Sequence, residues 1–204
     1  MIALERVLFA QPPRVALHVI GLGRPAPVGI VAALLLSAAL LLVIPLFVAS
    51  TGAELSAYPG WTLLVAGLFA QAGIAEEVLF RGYLFRHIRE GRAFWPAALI
   101  AMLPFVAVHL VIFASQSWPI ALAAVLLSAV MSFPLAYLFE LGGDTIWPPA
   151  VLHFVAQGAI KVVQVENGDG IPLPVVWMIA CAIVPFLAFL VPIPSRVGRH
   201  ADAG

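Results

Sequence analysis

The run from Val28 to Ser50 limits most strongly how this chain can fold, because it contains no charged residue. A helix that crosses the apolar core of a bilayer needs about 20 such residues. Further apolar runs follow at about 61–83, 94–115, 118–139, 146–165 and 174–194. Only helices and closed barrels satisfy their backbone polar groups inside lipid. The pattern therefore predicts an all-α polytopic membrane bundle of about six transmembrane helices.

Composition agrees with a membrane protein and argues against several other classes. The 204 residues are 63% hydrophobic and 10% charged, with a mean hydropathy of +1.09. Soluble domains are nearer half apolar and a quarter charged. A net charge of zero gives no basic field for nucleic acid, and the single cysteine, Cys181, cannot form an internal disulfide. The expected surroundings are a lipid bilayer, without a nucleic-acid partner.

Arginine placement predicts the orientation of the bundle. Arginines lie before the first run, between the second and third runs, and after the last run, while the alternate loops hold only Lys161: Arg6, Arg14, Arg24; Arg81, Arg86, Arg89, Arg92; Arg196, Arg199. The positive-inside rule then places both termini in the cytoplasm. Abundant arginine and alanine are typical of a GC-rich genome, so we expect a multi-pass protein of a bacterial cytoplasmic (inner) membrane.

The same analysis predicts the domain organisation. Residues 1–27 are expected to form a cytoplasmic N-terminal arm with a short interfacial helix over Ile2–Phe9. Residues 28–194 are expected to form a single transmembrane domain, and residues 195–204 a cytoplasmic tail. The sequence contains no internal repeat, which counts against a repeat-built transporter. No span carries a GxxxG dimerisation face, so oligomeric state stays open.

A small set of polar residues interrupts the apolar runs, and helical spacing predicts how they group. These residues are Glu76, Glu77, Arg81, His109, His153 and Gln157. Residues four apart share a helix face, so Glu77 can pair with Arg81, and His153 shares a face with Gln157. Phe105 lies one turn from His109. Glu76 and His109 are equally far from the turn near residues 91–93, so we expect the cluster to converge below the cytoplasmic surface.

This grouping suits hydrolysis of a peptide bond. A carboxylate beside histidines can deprotonate a water molecule, and amide or imidazole donors can stabilise the oxyanion that follows. Glu76, His109 and His153 could equally ligate zinc. Both a metal-dependent and a metal-free mechanism remain open, so the cofactor is either zinc or none.

Other interpretations of these residues stand beside the catalytic one. Histidines inside membranes often serve packing, and a Glu–Arg couple four apart is often a structural pair. His18, His87 and His200 are expected to be solvated or interfacial, and Glu140 and Asp144 to serve a turn at residues 142–143. Alternative functions are a catalytically silent immunity or scaffold protein and a small proton-coupled transporter, since buried Glu and His can relay protons.

Three ordered motifs resemble those of a known family. Glu76-Glu77-x-x-x-Arg81, Phe105-x-x-x-His109 and His153-x-x-x-Gln157 are similar to the motifs of the CPBP intramembrane proteases. This family includes CAAX prenyl proteases of the Ras-converting type and bacteriocin-processing or immunity (Abi) proteins. The resemblance covers about residues 60–165.

The resemblance implies an intramembrane endopeptidase that opens toward the cytoplasm. It implies that Glu76 activates the water with His109, that His153 and Gln157 hold the oxyanion, and that Glu77 and Arg81 brace the site. The family pattern usually ends in asparagine, whereas this chain has Gln157. The expected substrate is a membrane-embedded or membrane-associated peptide or protein, and a prenylated target is not expected in a bacterium.

Overall fold

A computed structural model describes residues 12–166 and 170–193 of the chain. Within these ranges the α-helices are Pro13–Val19, Pro27–Leu41, Val43–Thr51, Trp61–Leu68, Arg86–Arg89, Phe94–His109, Trp118–Leu141, Trp147–Val162 and Leu173–Ile183. Two segments, Phe69–Ala75 and Val78–Phe85, are π-helical, and two are 3₁₀-helical, Leu110–Ala114 and Val184–Leu190. The strands are β1 (Glu54–Ala57) and β2 (Val163–Glu166).

In the described part of the chain, these helices join into five that are long and apolar enough to cross a membrane. We number them as the first to fifth spans: Pro27–Thr51, Trp61–Arg89, Phe94–Ala114, Trp118–Leu141 and Leu173–Leu190. Their bounds lie close to five of the predicted runs, and the predicted all-α membrane bundle is confirmed.

The fifth predicted run, at 146–165, forms a shorter helix than expected. Residues 146–165 were predicted to cross the membrane, but the helix there runs only from Trp147 to Val162, which is 16 residues. At 1.5 Å per residue it is about 24 Å long, less than the roughly 30 Å apolar core of a bilayer. The chain then changes to strand at Val163–Glu166. We refer to Trp147–Val162 as the short helix.

Proline and glycine mark several helix ends. Pro27, Pro119, Pro148 and Pro174 lie in the first turns of their helices, where the missing N–H has no intrahelical acceptor in any case. The first span ends at Gly52, whose φ of 67° is left-handed and is adopted by glycine without a Cβ clash.

The main core forms where the first, fourth and fifth spans meet the short helix. Ala33, Leu135, Leu152 and Trp177 are at most 1% exposed there. The Trp177 indole Nε1–H donates to the Ala156 carbonyl at 2.8 Å, which ties the fifth span to the short helix. Elsewhere large apolar side chains face outward, such as Leu63 at 82% exposed, as expected for surface that contacts lipid.

The bundle has two distinct ends. At one end β1 pairs with β2 in antiparallel register, with Glu54 opposite Glu166; we call this the strand end. At the other end Arg89 Nε donates to Glu140 Oε1 at 2.6 Å, joining the second span to the fourth; we call this the arginine end. The pairing of these strands was not predicted from the sequence.

Part of the predicted cytoplasmic arm is built into the bundle. Ile20 is 2% exposed, the Ile146 N–H donates to the Gly21 carbonyl at 2.9 Å, and Trp147 Nε1–H donates to the Gly23 carbonyl at 3.0 Å. Residues 18–26 therefore close the arginine end rather than extending from it. The predicted helix over Ile2–Phe9 and the predicted tail 195–204 lie outside the described residues.

Candidate active site

The two glutamates of the first motif lie between π-helical segments of the second span. Phe69–Ala75 precedes them and Val78–Phe85 follows them. A π-helix closes i→i+5 hydrogen bonds, is rare, and often marks a functional site. The Glu76 N–H accordingly donates to the Gln71 carbonyl, five residues earlier. This wider winding changes which side chains stack above one another.

Glu77 is the anchor of the buried cluster. Its side chain is fully buried, and its Oε1 accepts hydrogen bonds from Arg81 Nη1 at 2.8 Å and from His153 Nδ1 at 2.7 Å. The expected pairing of Glu77 with Arg81 is therefore present. The Arg81 guanidinium also lies over the Phe105 ring, 4.2 Å from its centre. The charges of the cluster are thus held by one another and by an aromatic face.

The hydrogen bond to Glu77 orients His153. Because a carboxylate oxygen accepts, Nδ1 of His153 carries the proton, and the opposite ring nitrogen, Nε2, points away from Glu77. That Nε2 lies 3.8 Å from Glu76 Oε2. The two adjacent glutamates therefore contact opposite sides of one imidazole.

Glu76 has one satisfied and one unsatisfied oxygen. Its Oε1 accepts from Gln71 Nε2 at 3.1 Å, while its buried Oε2 has no hydrogen-bond partner among the residues that the structure describes. The Glu76 side chain is 17% exposed. Gln71 was missed in the sequence analysis, although an amide in the middle of an apolar span was a usable signal.

His109 reaches the cluster through Phe105. Its Nδ1–H donates to the Phe105 carbonyl at 2.7 Å, one turn earlier, and the two rings are 4.7 Å apart. Phe105 is 1% exposed and its ring centre is 6.0 Å from that of His153. Phe105 is thus the spacer that separates the two histidines of the predicted site.

A cavity of about 240 Å³ adjoins the histidines. It is lined by His109, His153, Gln157 and apolar side chains of four helices, among them Ile112, Leu127, Met131 and Trp177. The Gln157 Oε1 is buried without a partner among the described residues. Glu76 does not line this cavity. The cavity extends past Ile112 and Lys161 toward the strand end. In the predicted orientation the arginine end faces the cytoplasm. The cavity therefore extends away from the cytoplasmic side, whereas the resemblance implied an opening toward it.

The proposed zinc ligands do not come together as a ligand set. Over residues 12–166 and 170–193, no three His, Cys, Asp or Glu side chains are placed to hold a metal ion. Glu76 faces His153, but Phe105 separates His109 from them. The residues as positioned therefore do not fit a zinc site made by Glu76, His109 and His153, and we assign no step to a metal.

The sequence predicts no catalytic part for four ionisable residues that the structure describes: Glu140, Asp144, His18 and His87. Glu140 pairs with Arg89, and Asp144 adopts a φ of 62° in the turn after the fourth span. His18 is exposed, and His87 Nδ1 is 2.7 Å from the Tyr83 carbonyl. The predicted His200 lies beyond the described residues.

The fold and the cluster define an integral membrane protein that buries paired carboxylate and imidazole groups inside a helical bundle. The family model of the type II CAAX prenyl endopeptidases, Rce1-like, matches residues 58–159. The chain belongs to this family, which confirms the resemblance inferred from the three motifs. The matched region contains all seven predicted site residues: Glu76, Glu77, Arg81, Phe105, His109, His153 and Gln157. No curated protein and no solved structure matches the chain.

Proposed function

We propose that this protein is an intramembrane endopeptidase in which Glu76 activates the water that attacks a peptide bond. The observation that carries the proposal is the placement of Glu76 Oε2 3.8 Å from His153 Nε2, with His153 oriented from behind by Glu77. Membership of a CAAX-type protease family supports the reaction class. The finer assignment of roles rests on the contacts described above.

The distance between Glu76 Oε2 and His153 Nε2 is short enough for one water molecule to bridge the two side chains. Hydrogen bonds between oxygen atoms, or between nitrogen and oxygen, are about 2.7–3.0 Å long, so one water oxygen can contact both side chains across a gap of 3.8 Å. Glu76 takes a proton from this water as the oxygen attacks the substrate carbonyl carbon. The carboxylic acid then returns the proton to the leaving amine as the peptide bond breaks.

In this proposal a donor on the cavity wall stabilises the intermediate. Gln157 and His109 both line the cavity next to His153. The tetrahedral intermediate carries its negative charge on the former carbonyl oxygen, and the Gln157 amide is placed to donate to that oxygen. His109 lines the same cavity, but its Nδ1–H already donates to the Phe105 carbonyl, so the oxyanion is assigned to Gln157 alone. In this arrangement His153 is nearer to the proposed base than His109, although the resemblance pairs His109 with Glu76.

The proposed substrate is a peptide or protein segment embedded in the membrane, and the proposed location is a bacterial cytoplasmic membrane. A cavity lined mainly by apolar side chains suits apolar residues beside the cleaved bond. A catalytically silent scaffold of the same fold is the competing proposal, since Glu76 does not line this cavity.

Cleavage by purified Glu76→Ala tests the base. Internally quenched peptides, with and without a prenylated cysteine, are incubated with wild type and variant in detergent. We expect a loss of at least about 100-fold in kcat, the lower range for removal of a general base, with unchanged membrane insertion. Glu54→Ala, at an exposed strand position, is the matched control. Unchanged turnover by Glu76→Ala would exclude the proposed base.

Metal content and chelator sensitivity measured on the same sample test the metal-free step. Activity that is lost with a chelator and restored by stoichiometric zinc would contradict water activation by Glu76 alone. A biological function that survives replacement of both Glu76 and His109 would favour the silent scaffold.

A further inference from the structure

Gln71 is an unusual residue for its position. It lies within the second span, ten residues from Trp61, and its side chain is exposed on the helix surface. A polar amide at this depth is costly unless it is hydrogen-bonded. Its side-chain amide donates to Glu76 Oε1 at 3.1 Å.

The winding of the helix makes this contact possible. Five residues of α-helix turn through about 500°, which would leave Gln71 about 140° away from Glu76. Residues 69–75 are π-helical instead, and a π-helix brings residues five apart one above the other. The Glu76 N–H donates to the Gln71 carbonyl in the same turn. Backbone and side chain of Gln71 therefore both hold Glu76.

This contact has a directional consequence for the carboxylate. Since Oε1 is engaged by Gln71, Oε2 is the oxygen that faces His153 Nε2. Rotation of the carboxylate plane about its last bond, away from the observed angle, would break the amide hydrogen bond, because neither oxygen would then face Gln71. We propose that Gln71 is a positioning residue that fixes the plane of the Glu76 carboxylate, so that one oxygen stays on the amide and the other faces the water. This inference rests on the proposed role of Glu76 as base.

The first arm of the test needs no substrate. The chain contains five glutamines, at positions 11, 71, 116, 157 and 164, so labelling with side-chain ¹⁵N-glutamine gives few amide signals. The Gln71 signal is assigned from its loss in Gln71→Ala. We expect Glu76→Ala to shift the Gln71 amide resonance and to leave that of Gln164, exposed on β2, unchanged. An unshifted Gln71 resonance overturns the contact.

The second arm measures catalysis on the quenched peptides. We expect Gln71→Ala to lower kcat about 10-fold, within the loss that small misplacements of a catalytic group cause, while KM stays within about twofold. Gln71→Glu should lower kcat further, because its carboxylate repels Glu76 and offers no donor. Gln71→Lys, which restores a donor of sufficient length, should recover part of the loss. Gln164→Ala is the matched control and should keep wild-type kcat.

The two proposals fail in distinguishable ways. Full kcat in Gln71→Ala, beside an inactive Glu76→Ala, overturns the positioning role alone. Wild-type activity in Glu76→Ala would instead exclude Glu76 as the base, and the proposed function would fail with it. Equal losses in Gln71→Ala and Gln164→Ala also overturn the positioning role, because they would show a general sensitivity to lost amides.

Discussion

His153 and Glu77 are 76 positions apart in the chain and are joined by a hydrogen bond of 2.7 Å. The bond links the short helix to the second span, and it also sets the direction of the His153 imidazole. One buried contact thus joins two helices and orients a side chain of the proposed site. The two effects can be separated by experiment, because a part-buried pair of Arg89 with Glu140 lies at the arginine end, away from His109 and His153.

Glu77→Gln is expected to lower both stability and activity. It leaves Arg81 buried without a charged partner, and breaking such a pair costs about 3–5 kcal/mol; it also weakens the orientation of His153. Thermal unfolding in detergent and kcat are measured together. Glu140→Gln removes the carboxylate paired with Arg89 and should lower stability while leaving kcat per folded molecule intact. A Glu77→Gln protein with full kcat would contradict the orienting role.

Gln157→Asn is expected to retain or increase cleavage. The substitution introduces the asparagine that usually ends the third motif. It shortens the side chain by one methylene and keeps an amide donor on the cavity wall. Gln157→Leu, of similar volume, should lower kcat by about 10²–10³-fold if the amide stabilises an oxyanion. Initial rates on the peptide panel decide the matter. Total inactivity of Gln157→Asn would indicate a different donor geometry in this chain.

Phe105→Leu is expected to weaken the cluster without removing any of its charges. The Phe105 ring supports Arg81 at 4.2 Å and contacts the His109 ring, and a desolvated cation–π contact contributes about 2 kcal/mol. Both the unfolding temperature and kcat should fall. Phe113→Leu, at a partly exposed ring that contacts Trp118, is the control and should leave kcat unchanged. Equal kcat in the two variants would argue against a spacer role.

Gly82→Ala is expected to destabilise the fold by about 1–3 kcal/mol, the usual range for overpacking. A Cβ at Gly82 would lie 2.0 Å from the Ile20 carbonyl oxygen, so the backbone of residues 18–26 must move. Gly67, in the same span, has open space around its Cβ position. Gly67→Ala should be neutral or slightly stabilising, since alanine is the better helix former. Equal unfolding temperatures for Gly82→Ala and Gly67→Ala would disprove the docking of residues 18–26 against Gly82.

The bundle itself followed from the sequence because length and hydropathy decide what can cross a bilayer. Five of the six predicted runs coincide with observed spans, with ends that differ by at most six residues. The spacing of Glu77 and Arg81 correctly predicted their pairing. The three motifs also identified the family. These features depend on local periodicity or on residue type, which a single sequence displays directly.

Other features depend on contacts that no local pattern encodes. Residues 69–75 and 78–85 are π-helical, so α-helical spacing could not show that Gln71 contacts Glu76. The short helix ends early because Val163–Glu166 pairs with a strand more than 100 residues earlier. The site assignments of Glu76, His109, His153 and Gln157 stay predictions.

The docking of residues 18–26 has a consequence for how the protein is made. Their carbonyls receive hydrogen bonds from Ile146 and Trp147, which leave the ribosome more than 100 residues later. Until then the early segment cannot close the arginine end, and the short helix that holds His153 has no fixed start. Assembly of the proposed site is therefore a late event, because His153 is synthesised 76 residues after Glu77. A nascent chain halted before residue 147 would carry both glutamates and still lack the histidine between them.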